Sequence, residues 1–207
     1  MVRSSMDAEI ETTAQRILQA SLTVFSQFGF HEATVRQIAE RAGIAPATLY
    51  EYFPSKERVL QELFERRTQQ AIAMVREHLE GVECTFDRIR KHTWFTLWYF
   101  ERNPDFAAVT YLALPLHALL RYGPAHDTAR EQERIFMSII KQGQVAGDVR
   151  DDVHIGRLRG LYFGGLQRLI TVWLLGRRTR KLTSQAKDFS EFVIRAIRTE
   201  GPQTRIR

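Results

Sequence analysis

At 207 residues, 44% hydrophobic and 26% charged, the chain is long enough to bury one large core or two smaller ones. It holds no apolar run of the roughly 18 residues that a membrane-spanning helix needs, its start MVRSSMDAEIETTAQ lacks a basic-then-apolar leader, and the single Cys84 leaves no internal disulfide framework. The net charge of +6 is unevenly spread: residues 1–56 hold five bases and six acids, whereas residues 150–207 hold thirteen bases and five acids. The composition is that of a cytoplasmic protein with no membrane partner.

The first predicted helix runs from about Asp7 to Phe28, where Ile10, Ala14, Ile17, Leu18, Leu22 and Phe25 recur at helical spacing; Gly29 ends it. Thr34 is placed to cap a second helix, with Gln37 three residues on to complete a capping box ahead of Val35, Ile38, Ala39 and Ala42. Gly43 suits the left-handed close of that helix, Ile44 is the one large apolar residue of the turn, and Pro46 fits the first position of a third helix. In that third helix Leu49 and Phe53 share an inward face, while Pro46, Ala47, Tyr50 and Glu51 point elsewhere. Two short helices about a tight turn have the layout of a helix-turn-helix DNA reader.

These residues resemble a known family. Phe28-Gly29-Phe30, Thr34, Gly43-Ile44, Thr48-Leu49-Tyr50, Tyr52-Phe53 and Lys56, at their spacings, are similar to the DNA-binding segment of the TetR family of one-component transcriptional regulators. The competing reading, a helical hairpin inside a larger all-helical protein, leaves Tyr50, Tyr52 and Lys56 outside without a reason. The resemblance implies an all-α protein of about nine helices: a helix-turn-helix three-helix domain at residues 1–56, then a helical ligand-binding and dimerisation domain at 57–207. It implies double-stranded DNA with a palindromic operator as partner. Arg36, Ala45, Pro46, Ala47 and Tyr50 would face base edges, Thr34, Thr48, Tyr52 and Lys56 would hold the DNA backbone, and Glu51 would accept from a cytosine amine or face solvent.

Beyond the reader, Ser55 is placed to cap a long helix to about Leu79, with Glu57 near its favourable amino end. After Gly81, Thr85 is expected to cap a helix carrying Phe86, Ile89, Trp94, Phe95, Leu97, Trp98, Tyr99 and Phe100, apolar on more than one face. Asn103-Pro104 starts the next helix, Pro115 kinks or stops it, and Gly123-Pro124 opens another that closes near Gly143 to Gly147. Residues Gln142 to Asp152, QGQVAGDVRDD, resemble the family's turn before its eighth helix, with Asp151 or Asp152 as cap. The last two helices are expected at about Asp152 to Leu175 and Ser184 to Arg198.

Gly156, Gly160 and Gly164 repeat every four residues and line one face of the penultimate helix. Two readings of that face stand: a homodimer interface made with Phe189, Phe192, Val193 and Ile197, or room inside the subunit for a long ligand. Candidates for a small hydrophobic effector are Trp94, Phe95, Trp98, Phe106, Tyr111, Leu116, Phe136, Ile140, Phe163, Gln167, Ile170 and Trp173, against the plain alternative that aromatic stripes simply pack. The Gly-Asp turn, Val172-Trp173-Leu174 and the aromatic interior resemble the acyl-CoA-sensing branch that governs fatty-acid breakdown; a multidrug-type pocket is the competitor. The basic run Arg177-Arg178-Thr179-Arg180-Lys181 reads as a solvated loop or an anion contact.

His31, His78, His92, His117, His126 and His154 are scattered, and no cysteine pair exists to hold zinc. No catalytic constellation, cofactor site or metal site is expected, and the chain reads as a regulator rather than an enzyme. A ligand-independent architectural DNA binder is the remaining alternative.

Overall fold

The computed structural model describes residues 2–112, 124–176 and 178–199; the expectations for Leu116, Pro115, Gly123 and Arg177 lie outside the described residues. Among these there are nine α-helices: α1 (Val2–Glu32), α2 (Val35–Ala42), α3 (Pro46–Tyr52), α4 (Lys56–Leu79), α5 (Thr85–Arg102), α6 (Pro104–Tyr111), α7 (Pro124–Val145), α8 (Ile155–Leu175) and α9 (Ala186–Ile197), with a 3-10 turn at Leu182–Gln185. None is long and apolar enough to cross a membrane. The chain forms two compact units, Met1–Gln70 with Asn103–Ala129, and Ala71–Arg102 with Arg130–Arg207. The sequence reading divides the chain at residue 56, where α4 begins, and α4 belongs to the first unit as far as Gln70.

In the first unit, Ala14, Ile17, Leu18, Leu22 and Phe25 of α1 are buried, as are Val59, Leu60, Leu63 and Phe64 of α4. Phe64 meets Phe106 of α6 with ring centroids 5.9 Å apart. The stripe that the sequence shows in each helix is thus the stripe that packs. Arg66 of α4 pairs with Glu62 one turn back at 2.8 Å and with Glu11 of α1 at 2.5 Å. Gly29, at φ 75, interrupts α1; the helix begins at Val2 rather than Asp7, and one further turn, Phe30 to Glu32, follows the break. Ser55 accepts from the Arg58 amide at 3.2 Å, and the Glu57 backbone amide, then the Ser55 hydroxyl, hold the Glu57 carboxyl below the usual range.

In the second unit α5 is buried along Ile89, Phe95, Leu97, Tyr99 and Phe100, and both α8 and α9 lie against it. Glu101 accepts from the amide and hydroxyl of Thr183 at 2.8 and 3.0 Å, fixing the 3-10 turn before α9. Arg90 reaches Glu191 at 2.6 Å. The turn after α7 pairs its backbone with the end of α9, Arg150 donating to Ile197 and Thr199 to Asp148, each at 2.9 Å.

Two caps fall elsewhere than expected. Thr85 is the first residue of α5 and is buried, the Cys84 carbonyl accepting from Arg88 at 3.0 Å. His154, not Asp151 or Asp152, caps α8, its ring nitrogen accepting from Arg157 at 3.3 Å.

Gly143 tests how tightly this unit is packed. A Cβ there would stand 2.6 Å from Thr85 Cγ2 and 2.7 Å from Val149 Cγ2, both buried and both stiff at χ1. Gly143→Ala would gain up to about 1 kcal/mol of helix propensity, but overpacking of about 1–3 kcal/mol outweighs it. Thermal unfolding is expected to show a lower midpoint; a raised one would mean the site relaxes freely.

Candidate nucleic-acid interface and effector core

The reader is set by local chemistry. Thr34 accepts from the Gln37 amide at 3.2 Å while the Gln37 side chain accepts from the Thr34 amide at 2.8 Å, so the capping box is complete. Gly43 closes α2 at φ 67, with Ile44 donating back to Ala39 at 3.0 Å. Pro46 opens α3 behind Ala45, and Leu49 is fully buried with Phe53 beside the helix end. Arg36, Ala45, Pro46, Ala47 and Glu51 are exposed and Tyr50 is 54% exposed, whereas Thr48 and Tyr52 are half-buried. These positions form the bare side of two adjoining helices.

Two side chains with phosphate roles in the sequence reading are engaged internally. The Thr34 hydroxyl is occupied by Gln37, which it contacts both as acceptor and at 3.0 Å from Oε1. Lys56 is half-buried, its Nζ donating to the carbonyls of Phe30 at 2.7 Å, Ala33 at 2.8 Å and His31 at 3.3 Å, with the Phe30 ring 4.6 Å below. An ammonium with three carbonyl partners has satisfied its three donors. Sequence spacing gave no sign of it, because the partners lie in the turn after Gly29.

The described effector candidates fall in both units. Phe106, buried, and Tyr111, half-buried, belong to the first unit; Leu116 lies outside the described residues; Gln167 is exposed. In the second unit Trp94 stacks on Trp98 at 5.9 Å, Trp98 lies 5.7 Å from Phe95, and Trp94 remains 41% exposed. Trp173 is buried and donates to the Arg180 carbonyl at 2.8 Å, while Arg178 lies over its ring, so the basic loop is anchored by an indole. Ile140 and Ile170 are fully buried.

Phe136 lies at the centre of a cluster in which the sequence reading names Phe136 and Phe163 as candidates but not Tyr162, His92 or Thr93. It stacks on Tyr162 with centroids 3.7 Å apart, and Phe163 stands edge-on to both rings. Beside them His92, 1% exposed, contacts the Tyr162 hydroxyl at 2.8 Å through Nδ1, and that hydroxyl contacts Thr93 at 2.9 Å. Thr93 donates to the Ile89 carbonyl, which assigns the Tyr162 proton to Thr93 and the imidazole proton to Nδ1. Burial pushes His92 down to about 4 and raises the Tyr162 phenol, and His92 Nε2 has no hydrogen-bond partner among the described residues. A histidine amid aromatics at positions 92–100 was the available signal.

A groove of about 730 Å³ in the same unit is lined by Arg76, Arg88 and Arg134 and equally by Glu77, Glu80 and Glu131, which leaves its charge balanced. No group of His, Cys, Asp and Glu suited to a metal ion occurs among the described residues.

The glycine face of α8 is open. Gly156, Gly160 and Gly164 are exposed, and no heavy atom stands within 4 Å of a Cβ built at Gly160 or Gly164. Leu161 is 76% exposed, Leu175 68%, Val172 45% and, on α9, Phe192 72%. The sequence grouped Phe189, Val193 and Ile197 with this face, and the structure separates them: Val193 and Ile197 are buried within the unit, and Phe189 is half-buried above Gly165. The reason is that α9 is apolar on two sides, and its α5 side takes Val193 and Ile197.

Residues 17–63 match the model for bacterial regulatory proteins, tetR family, and residues 64–196 match that for the YsiA-like protein, C-terminal region. The fatty acid metabolism regulator protein of Bacillus subtilis (strain 168) is 25% identical over 186 residues, 88% of this chain and 94% of its own length. The fold is shared with the solved transcriptional regulator FadR from Bacillus subtilis in complex with stearoyl-CoA, at TM-score 0.79 and 22% identity over 87% of this chain and 97% of that one. It is shared equally with the fatty acid degradation regulator FadR from Bacillus halodurans, at TM-score 0.82 and 21% identity over 94% and 97% of the two chains.

Proposed function

The chain belongs to the TetR family of bacterial transcriptional regulators, and from that premise we propose that it is a homodimeric repressor, released from an inverted-repeat operator by a long-chain acyl-CoA. The observation that carries the DNA reading is the bare side of α3: Leu49 and Phe53 are buried, while Pro46, Ala47 and Tyr50, like Arg36 of α2, are exposed. Two such helices on a two-fold axis would enter successive major grooves about 34–36 Å apart. Arg36 would read guanine through its two-pronged guanidinium, and Pro46, Ala47 and Tyr50 would meet thymine methyls. Thr48 and Tyr52 would donate to phosphates, and Glu51 would accept from a cytosine amine. Such work places the protein beside the chromosome, in the cytoplasm.

The dimer reading is supported by the open α8 glycines and the exposed Leu161, Val172, Leu175 and Phe192, apolar side chains of the kind that mark a protein–protein contact. The effector reading is supported by the relative named for fatty acid metabolism and by the stearoyl-CoA held by a protein of the same fold. Trp94, Phe95, Trp98, Phe136 and Phe163 of the second unit are the side chains that would meet the acyl chain. An effector can weaken DNA binding only by the difference in its affinity for the free and operator-bound arrangements.

Fluorescence anisotropy of a duplex selected from random-sequence DNA checks both parts. Saturating stearoyl-CoA is expected to weaken binding by about tenfold or more, within the usual 1–3 kcal/mol of coupling, and free coenzyme A is expected to have little effect. Unchanged affinity removes the effector reading, and failure to enrich any sequence removes the operator reading.

A further inference from the structure

The cation that opens α4 has no hand free for DNA. Lys56 sits 26, 25 and 23 residues beyond the three carbonyls it holds, those of Phe30, His31 and Ala33. These carbonyls line the turn between the break at Gly29 and the cap at Thr34. With three N–H bonds and three acceptors the ammonium is saturated, and the Phe30 ring covers a further side. At the far end of α2, Arg16 of α1 donates through Nη2 to the carbonyls of Ala42 at 2.5 Å and Gly43 at 3.4 Å. One helix of the reader is thus held at both ends, by a lysine from α4 and an arginine from α1.

We propose that Lys56 is a positioning residue for base reading and not a phosphate ligand: it fixes the approach to α2, and through the Gly43 turn the orientation of α3, so that base edges are met in register. The inference rests on the DNA reading above. Phosphate attraction tolerates a loosely held reader, because it is long-ranged and sequence-blind, whereas base contacts need their donors held in place. Loosening the turn should therefore remove specificity and spare non-specific affinity.

Lys56→Met keeps the stem over Phe30 and removes the three donors. Its binding to the selected duplex and to an unrelated duplex is compared with that of the wild type across a salt series, well below the unfolding midpoint. The expected result is a loss of about tenfold or more on the selected duplex alone, with the salt slope of wild type retained. A lost phosphate contact would instead lower that slope by about 0.9 and weaken both duplexes. A purely structural lysine would leave both affinities unchanged. Either of these outcomes overturns the proposal.

Should Lys56→Met fail to fold, lysine acetylation of the wild-type chain, read by mass spectrometry, gives an independent answer. Lys56 is expected to be protected both free and on DNA, with exposed Lys187 reactive as reference; reactivity in the free chain that disappears on DNA marks a phosphate ligand and overturns the proposal. The free-chain measurement needs no operator, so failure of the DNA reading itself, seen as failure to select a duplex, is told apart from failure of this one.

Discussion

Replacing Leu161 and Phe192 together by arginine is expected to leave the chain folded, make it monomeric, and lower affinity for the selected duplex by on the order of a hundredfold or more, because each half-site would then be bound without the avidity of its twin. Both side chains already stand in solvent, 76% and 72% exposed, so folding itself should change by no more than about 0.5 kcal/mol per substitution. The pairing is another matter. A two-fold interface meets each substitution twice, so four guanidiniums would enter an apolar contact that offers no described acid among Gly160, Leu161, Gly164, Val172 and Leu175. A buried charge left without a partner costs about 3–5 kcal/mol, more than a wild-type interface of ordinary strength can absorb several times over. Sedimentation velocity reads the assembly and anisotropy the affinity; a double variant that remains dimeric would show that the subunits meet elsewhere.

Acid is expected to destabilise the second unit through His92. Its folded value of about 4 lies below the ordinary value of 6.5, with burial as the cause. The unfolded chain therefore binds more protons between those values, and stability is fully present above pH 6.5 and lost as pH falls toward 4. At about 1.4 kcal/mol per unit of separation, the loss across that window is on the order of 3 kcal/mol. Urea unfolding of wild type and His92→Gln at pH 7.5 and pH 4.5 isolates this contribution, since other carboxylates and histidines titrate in both proteins. The wild-type curve should shift further on acidification; parallel shifts would mean that His92 does not remain neutral in the folded chain.

The parts of the fold legible in the sequence were those whose causes lie close together. Thr34, Gln37, Gly43 and Pro46 span one short stretch and each acts on neighbouring backbone, so caps and turn followed directly from residue type. Lys56 could not be read the same way, because its carbonyls stand more than twenty residues upstream and a lysine at a helix start says nothing of what it grasps. Asp151 and Asp152 are the better capping residues by type, yet the cap of α8 is His154, two residues beyond Asp152. On α9, Phe192, Val193 and Ile197 were equally apolar in sequence. Only packing against α5 told the exposed phenylalanine from the two buried aliphatics.

The effector residues were the least legible. Aromatic density marks a core and a pocket alike, and here the knot of Phe136, Tyr162 and Phe163 includes His92, one of six histidines scattered in the sequence. A buried polar relay leaves no periodic trace. The Tyr162 contacts to His92 and Thr93 cross from α8 to α5 over about seventy residues of chain.

The economy of anchoring in α3 bears on how this protein can diverge or be re-engineered. Leu49 and Phe53 are buried, while Ala47, Tyr50 and Glu51 are exposed. Pro46 aside, which sets the helix start, Ala47, Tyr50 and Glu51 can be exchanged for other side chains at little risk to the scaffold. On the proposed DNA reading, target sequence and architecture are separable, and a library randomised at those few sites should yield folded chains with altered promoter preference at high frequency.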